Sequence, residues 1–377
     1  MRIHRTVRTG AATLSLALVL AACGDTTDTS TPSDEGSSSD ASSPTDASGE
    51  PSEPMAEASA LACQVTDTGG VDDKSFNETA FAGLERSRDE LGAEIAVLES
   101  QATTDFEPNI NAFLEQGCDI IVTVGFLLGD ATLAAAQANP DVNFAIVDVD
   151  FFDFDAGADI TLDNAAELTF ATDQAAFLAG YLAAGQTTTG ILGTFGGINI
   201  PPVTIFMNGF EAGMNHYNTT KGTSVKLLGW SSEAQDGLFT GDFEDQDKGR
   251  ATAESLLDEG ADIIMPVAGP VGLGAAAAVK AAGDATIVWV DSDGCVSTDF
   301  CDIMSTSVMK NMDVAVFDSV KSQLDGNFAA GLYLGTLANG GVGLAPFHDA
   351  QAPVDATLQA EVEALATAII SGELSVS

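Results

Sequence analysis

The sequence predicts an α/β protein built as two doubly wound lobes with a ligand cleft between them. Three observations predict it. Short β-rich runs that are almost wholly apolar alternate with helical stretches, as strands covered on both faces of a parallel sheet do. The alternation runs through about four strands and then restarts. Some 320 residues follow the amino-terminal region, roughly what two cores of ordinary domain size require.

The chain opens with Arg2, Arg5 and Arg8 before the apolar run Ala11 to Leu20 and the sequence Leu20-Ala21-Ala22-Cys23. A basic start, a short apolar stretch and small residues before a cut describe a secretory leader, and ten apolar residues are too few to span about 30 Å of hydrocarbon. Residues 1–22 are therefore assigned as a signal peptide. The Leu-Ala-Ala-Cys ending resembles a lipobox, which makes Cys23 the expected site of lipidation. Residues 23–57 are Ser, Thr, Asp, Glu, Gly and Pro with little apolar content, so they cannot offset the entropy of ordering. They are expected to be a disordered acidic tether.

In the first lobe, Leu61 to Thr66, Ala93 to Leu98, Asp119 to Val124 and Asn143 to Val147 are expected strands. Glu78 to Leu91, Asn109 to Gln116 and Asp130 to Ala138 are the expected helices between them. The second lobe begins with a helix at Asp173 to Ala184. Its expected strands are Gly190 to Phe195, Val225 to Trp230, Asp262 to Val267 and Thr286 to Val290, with helices Phe206 to Tyr217, Lys248 to Glu259 and Gly274 to Ala282. The lobes are drawn as 58–165 plus 310–340 and 166–309 plus 341–377. Hinge crossovers are expected near Asn164 to Thr172 and Thr306 to Asp313, and Val354 to Glu373 reads as an amphipathic helix packed on a lobe.

Composition narrows the function. Hydrophobic residues make up 45% and mean hydropathy is +0.16, so the body is globular despite a formal net charge of −43. Removing Arg2, Arg5 and Arg8 leaves ten of the thirteen Lys and Arg, which excludes binding to nucleic acid or anionic lipid through a basic patch. Of the five cysteines, four remain after Cys23, consistent with export. Cys63 and Cys118 both open strands, and neighbouring parallel strands start level, which brings such thiols near the roughly 5.5–6 Å Cα separation a disulfide prefers. Cys63 is expected to pair with Cys118, and Cys295 with Cys301, six positions on across a polar loop.

In doubly wound folds ligands bind outside the carboxyl ends of the strands. There this chain places Asp67-Thr68-Gly69-Gly70-Val71-Asp72-Asp73-Lys74-Ser75-Phe76-Asn77, Gly125-Phe126, Asp148, Gly196-Gly197, Phe243 to Gly249, Ala268 to Gly274 and Asp291-Ser292-Asp293. With these residues the chain resembles the BMP (basic membrane protein) family of ABC solute-binding lipoproteins, which includes PnrA-like purine nucleoside receptors. The resemblance spans residues 60 to 375. It rests on Asp67 to Asn77, Val124 to Phe126, Phe243 to Gly249, Val267 to Gly274 and Thr306 to Asn311, all in order.

The resemblance implies a type I periplasmic-binding-protein-like fold and a monomeric, lipid-anchored receptor on the extracytoplasmic side of the cell membrane. It would pass a nucleoside to an ABC permease and its ATPase subunit. Phe76 and Phe243 would sandwich the base, one from each lobe. Asp67 and Asp148 would meet the base edge or fix the loop, Asp73 and Asn77 would line the same site, and Asp291, Lys310 and the Gly269 backbone would hold the ribose. Base stacking is worth about 1–3 kcal/mol, and a carboxylate accepts from vicinal hydroxyls with both oxygens.

Each position has a plainer reading. One phenylalanine among twenty is more often core than platform. Asp73 or Ser75 can be a helix cap. Asp291 and Asp293 can make a calcium half-site, but the spacing does not continue an EF-hand ladder. Lys310 can be a surface ammonium. Gly294 and Cys295 stand where the family often has a Gln, and the insertion-like Ser232 to Gly241 makes Phe239 a rival to Phe243.

No cofactor, metal or catalytic set is expected. His216 and His348 lie far apart, and neither a G-x-S-x-G elbow nor a Walker A motif occurs. Gly269 to Gly274 does not keep G-x-G-x-x-G spacing. A sugar or other small polar solute, a signalling or adhesion lipoprotein, and a glycosidase-like enzyme are the competing readings.

Overall fold

The computed structural model describes residues 60–153, 155–348 and 353–376. The expected signal peptide, the expected lipidation site Cys23 and the expected tether lie outside the described residues.

In chain order the main strands are β1 (Leu61–Thr66), β2 (Glu94–Glu99), β3 (Ile120–Val124), β4 (Asn143–Val147), β5 (Ala165–Phe170), β6 (Ile191–Gly196), β7 (Lys226–Leu228), β8 (Ile263–Val267), β9 (Thr286–Asp291), β10 (Met304–Lys310), β11 (Gly331–Gly335) and β12 (Val342–Leu344). The helices are α1 (Phe76–Leu91), α2 (Phe106–Gln116), α3 (Gly129–Ala138), α4 (Thr172–Gln186), α5 (Pro201–Lys221), α6 (Gln246–Asp258), α7 (Val271–Ala282), the short α8 (Gly294–Ser297), α9 (Met312–Leu324) and α10 (Ala356–Ile370). The first sheet has the order β11-β5-β4-β3-β1-β2 and is parallel throughout. The second has the order β12-β10-β9-β8-β6-β7, with β12 alone antiparallel. Each lobe is thus the same six-strand scheme. Central strands β3 and β8 are buried at every residue, which is why they read as unbroken apolar runs.

Helix ends follow local chemistry. The Asp73 carboxylate accepts from the amides of Ser75, Asn77 and Glu78 and starts α1 at Phe76, two residues before the expected Glu78. Asp245 and Asp355 cap α6 and α10 in the same way. Within each lobe, helices meet through small residues. In the first, a Cβ on Gly83 of α1 would stand 2.4 Å from the Asp313 carbonyl oxygen of α9; in the second, one on Gly180 of α4 would stand 2.0 Å from that of Phe210 in α5.

Cys63 on β1 is bonded to Cys118, which precedes β3, the strand hydrogen-bonded to β1. Cys295 is bonded to Cys301.

Three expectations need correction. The lobe boundary at 165/166 fails because β5 is a full strand of the first sheet, so the chain leaves that lobe after Phe170. Lys310 is the last residue of β10 in the second sheet, so the return to the first lobe follows it, at Asn311, and not before it. The expected strand Val225 to Trp230 also breaks. Gly229, at φ 85°, turns the chain after β7, and Trp230–Ser231 pairs instead with Asp236–Gly237 in a hairpin.

Among the described residues the chain crosses between lobes at Ala171, at Asn311 and through Thr336 to Gly341. The crossovers are bonded side by side. Ala171 N donates to Gly335 O (2.8 Å) and Asn311 N to Gly341 O (2.9 Å), while Leu337 N donates to the Gln174 Oε1 (3.0 Å). α10 packs on α4 of the second lobe. No helix among the described residues is long and apolar enough to cross a membrane.

Two outcomes are expected. Gly180→Ala should destabilise the protein by about 1–3 kcal/mol, since the methyl has no room and the helices must part; a urea midpoint equal to wild type would refute the close packing. Cys63→Ala/Cys118→Ala should cost about 2–5 kcal/mol, read as a lower thermal midpoint that added reductant does not lower further for this bond.

Candidate functional site

A cleft between the lobes holds about 590 Å³ of space free of protein atoms, open solvent included. The loop after β1 enters it because Gly69 and Gly70 take positive φ (116° and 73°) and turn the chain back across the strand ends. The loop contributes Asp67, Asp73, Phe76 and Asn77. β4 contributes Asp148 at its carboxyl end; the second lobe contributes Phe206, Phe243, Gly269, Asp291 and Lys310. All nine positions singled out in the sequence for ligand therefore line one cavity.

Asp148 and Asp291 occupy equivalent places in the two lobes, each at the carboxyl end of the third strand from the β11 or β12 edge. Both have left-handed backbone, φ 70° and 69°. Aspartate tolerates that region better than most residues, and a strained backbone that survives marks a position fixed by its surroundings. Gly125 makes room for Asp67: a Cβ there would stand 2.5 Å from the Asp67 Oδ2.

Lys310 is only 1% exposed, so its ammonium is not at the surface. It donates to Asp148 Oδ2 across the lobes and forms an ion pair there. Three rings surround it, with centroids 4.8 Å (Phe76), 5.4 Å (Phe170) and 5.9 Å (Phe206) from Nζ. Ring faces attract a desolvated cation, which offsets part of the cost of its burial.

The carboxyls around this one ammonium are crowded. Burial pushes Asp67 up to about 8, against the hydrogen bond that Asn77 Nδ2 donates to it (2.8 Å), and the Asp73 and Asp148 charges add to the rise. Burial likewise raises Asp73 to about 6, although three backbone amides oppose it. Asp291 also reaches about 6 through burial, opposed by Lys310 and by the Ser75 hydroxyl, which donates to its Oδ2 at 2.9 Å. Asp148 is raised by burial and held down by Lys310. Asn77 Oδ1 is buried with no hydrogen-bond partner. The cavity thus offers acceptors, one protonated acid at neutral pH and aromatic faces: the set that a flat polar ring with hydroxyl groups requires.

Phe239 does not line the cavity. Its ring packs edge-on against Trp230 at 6.0 Å, and its backbone bridges to Gly196, so Phe243 is the aromatic of this segment in the cleft. Gly197 leaves space for that ring, since a Cβ there would stand 2.3 Å from it. Asp291 and Asp293 do not act together: Asp293 caps α8 and its Oδ2 meets His348 Nε2 at 2.8 Å. Asp293, Cys295 and His348 have potential ligand atoms within 4.8 Å, but the Cys295 sulfur is already bonded to Cys301. Phe170 and Phe206 were missed in the sequence. Phe206 was read as the start of a helix that in fact begins at Pro201, where Pro201-Pro202 pre-sets the first turn and points to a cleft-facing helix start.

Comparison with known proteins places the whole body of the chain in one family. Residues 60–377 match the family model Bmp, described as ABC transporter substrate-binding protein PnrA-like. The chain is 32% identical to the ABC transporter nucleoside-binding protein BmpA of Lactococcus lactis subsp. cremoris, over 83% of this chain and 87% of that protein. It is 30% identical to basic membrane protein A of Borreliella burgdorferi, over 82% and 85%. An ABC transporter solute-binding protein of Aeropyrum pernix K1 superposes with a TM-score of 0.72 at 27% identity, covering 84% of this chain and 92% of that one. A Conexibacter woesei solute-binding protein does so with 0.64 at 25%, covering 84% and 98%. In sequence and fold, the chain belongs to the Bmp family of ABC transporter substrate-binding proteins.

Proposed function

We propose that this protein captures a nucleoside, with a purine base, between its lobes and delivers it to the permease of an ABC importer. The observation that carries this reading is a cavity lined by Phe76 from one lobe and Phe243 from the other, beside Asp148, Asp291 and Lys310. Rings contributed by both lobes suit a flat base that must be held when the lobes close. The carboxylate and ammonium set suits ribose hydroxyls, which accept from one and donate to the other. The nucleoside-binding relative from Lactococcus supports the same ligand class.

Location belongs to the same proposal. The leader, the Leu20-Ala21-Ala22-Cys23 ending and the acidic stretch after it support an extracytoplasmic receptor anchored by lipid on Cys23, acting as a monomer. Intact-mass measurement of the membrane-extracted protein should find a diacylated species beginning at Cys23, and a soluble species retaining residues 1–22 would sink the anchor.

The ligand claim is tested by thermal shift with adenosine, guanosine, inosine, cytidine, uridine, free bases, sugars and amino acids. A true ligand at a hundred times its dissociation constant adds about 2.7 kcal/mol of stability. Phe76→Ala should weaken nucleoside binding by about 1–3 kcal/mol, roughly 5- to 150-fold. Stabilisation by sugars or amino acids alone, or by nothing after co-purified solute is stripped, refutes the nucleoside reading and leaves the fold intact.

The buried acids give the site a pH dependence. An unfolded aspartate ionises near about 4, whereas Asp73 and Asp291 do so at about 6 and Asp67 at about 8 in the folded protein. Their contribution to stability is full below about pH 4 and is lost as pH rises through about 6 and then about 8. Asp67→Asn keeps an acceptor for Asn77 and cannot ionise. By calorimetry it should match wild type near pH 4 and exceed it at pH 9; a variant less stable than wild type at pH 9 would show that the Asp67 charge is compensated.

A further inference from the structure

The Asp73-Lys74-Ser75 segment does more than start α1. Lys74 has left-handed backbone, φ 62°, and both its amide and its ammonium donate to Glu78 Oε2, at 3.0 and 3.1 Å. Its side chain is thus drawn back along α1, and its carbonyl faces the other lobe. Three side chains of that lobe converge on this oxygen: Trp289 Nε1 at 3.2 Å, Ser292 Oγ at 3.0 Å and Ser297 Oγ at 3.1 Å. A carbonyl has two lone pairs, and the two hydroxyls also lie 3.0 Å from each other. One serine therefore donates to the other, and the Lys74 oxygen accepts two bonds, one from the indole and one from a hydroxyl. The neighbouring Ser75, fully buried, bonds Asp291 across the same gap. The Cys295–Cys301 bond spans Ser297 and restricts its segment.

We infer that the Lys74 carbonyl with Trp289, Ser292 and Ser297 is the latch that holds the lobes closed, so that these residues govern how fast solute leaves and not which solute enters. None of the three second-lobe partners lines the ligand cavity, whereas Phe76 and Asp291, immediately beside the latch, both do. Closing on solute and closing the latch are one movement. A ligand that seats Phe76 and Asp291 brings the oxygen to its donors, and the donors then slow reopening.

The test uses the purified protein carrying Trp230→Phe, so that Trp289, 1% exposed, is the reporting indole. Without added ligand, acrylamide should quench Trp289 weakly, and Ser292→Ala/Ser297→Ala should raise the quenching severalfold. Ser292→Thr/Ser297→Thr, which keeps both hydroxyls, should return it toward the parent. In stopped flow with inosine as probe, the alanine pair should release solute about tenfold faster, the size expected for one or two lost hydrogen bonds, with association and the order of preference among nucleosides unchanged. A parent protein whose Trp289 is freely quenched, or alanine variants that quench as the parent does, overturns the latch. Failure of inosine to bind counts against the nucleoside reading alone, because the quenching comparison involves no ligand.

Discussion

One buried ammonium organises the cleft. Lys310 is the basic group of a cavity that also holds Asp67, Asp73, Asp148 and Asp291, in a protein with 56 acidic residues against 13 basic ones. Four ionised carboxyls so close together would repel one another strongly in a desolvated site. Pairing Lys310 with Asp148 and surrounding it with Phe76, Phe170 and Phe206 leaves the remaining acids to be managed by protons and amide donors. Asp67 is held by Asn77, Asp73 by three backbone amides and Asp291 by Ser75. The ammonium also bridges lobes, since β10 belongs to the second sheet and Asp148 follows a strand of the first.

Around that centre the two lobes are rigid for reasons unconnected with ligand. Helix pairs close on glycines that leave no room for a methyl, the central sheet strands are buried on both faces, and a disulfide ties β1 to the segment entering β3. Freedom is left to the three hydrogen-bonded crossovers, where few side chains pack and small φ/ψ changes tilt one lobe on the other. A binding protein needs this division. Rigid lobes carry pre-formed half-sites, and the thin hinge turns two half-sites into one cavity.

The acidic surface has a different origin from the acidic cleft. Salt bridges such as Arg86–Glu90 and Lys321–Asp325 are exposed and contribute little to stability. The remaining carboxylates keep the body solvated, while the cleft carboxyls are buried and titrate far from their usual range.

Much of this was legible in the sequence. Apolar strand runs, the restart of the βα alternation and the polar strand ends determined two doubly wound lobes, because a strand buried on both faces leaves a period that composition alone carries. The residues facing the cleft were legible for the same reason: in such folds the strand ends are where the chain can place polar groups without breaking the core. The cysteine pattern is likewise written in local order. Tertiary structure alone decided the rest. Strand β5 passed for a hinge because its outer neighbour, the edge strand β11, joins it from more than 150 residues away. Phe243 and not Phe239 faces the cleft because the Trp230 hairpin turns Phe239 against Gly196. The partners of Lys310 and of the Lys74 carbonyl come from the opposite lobe, and no local pattern encodes which distant side chain will lie within hydrogen-bonding distance once the lobes meet.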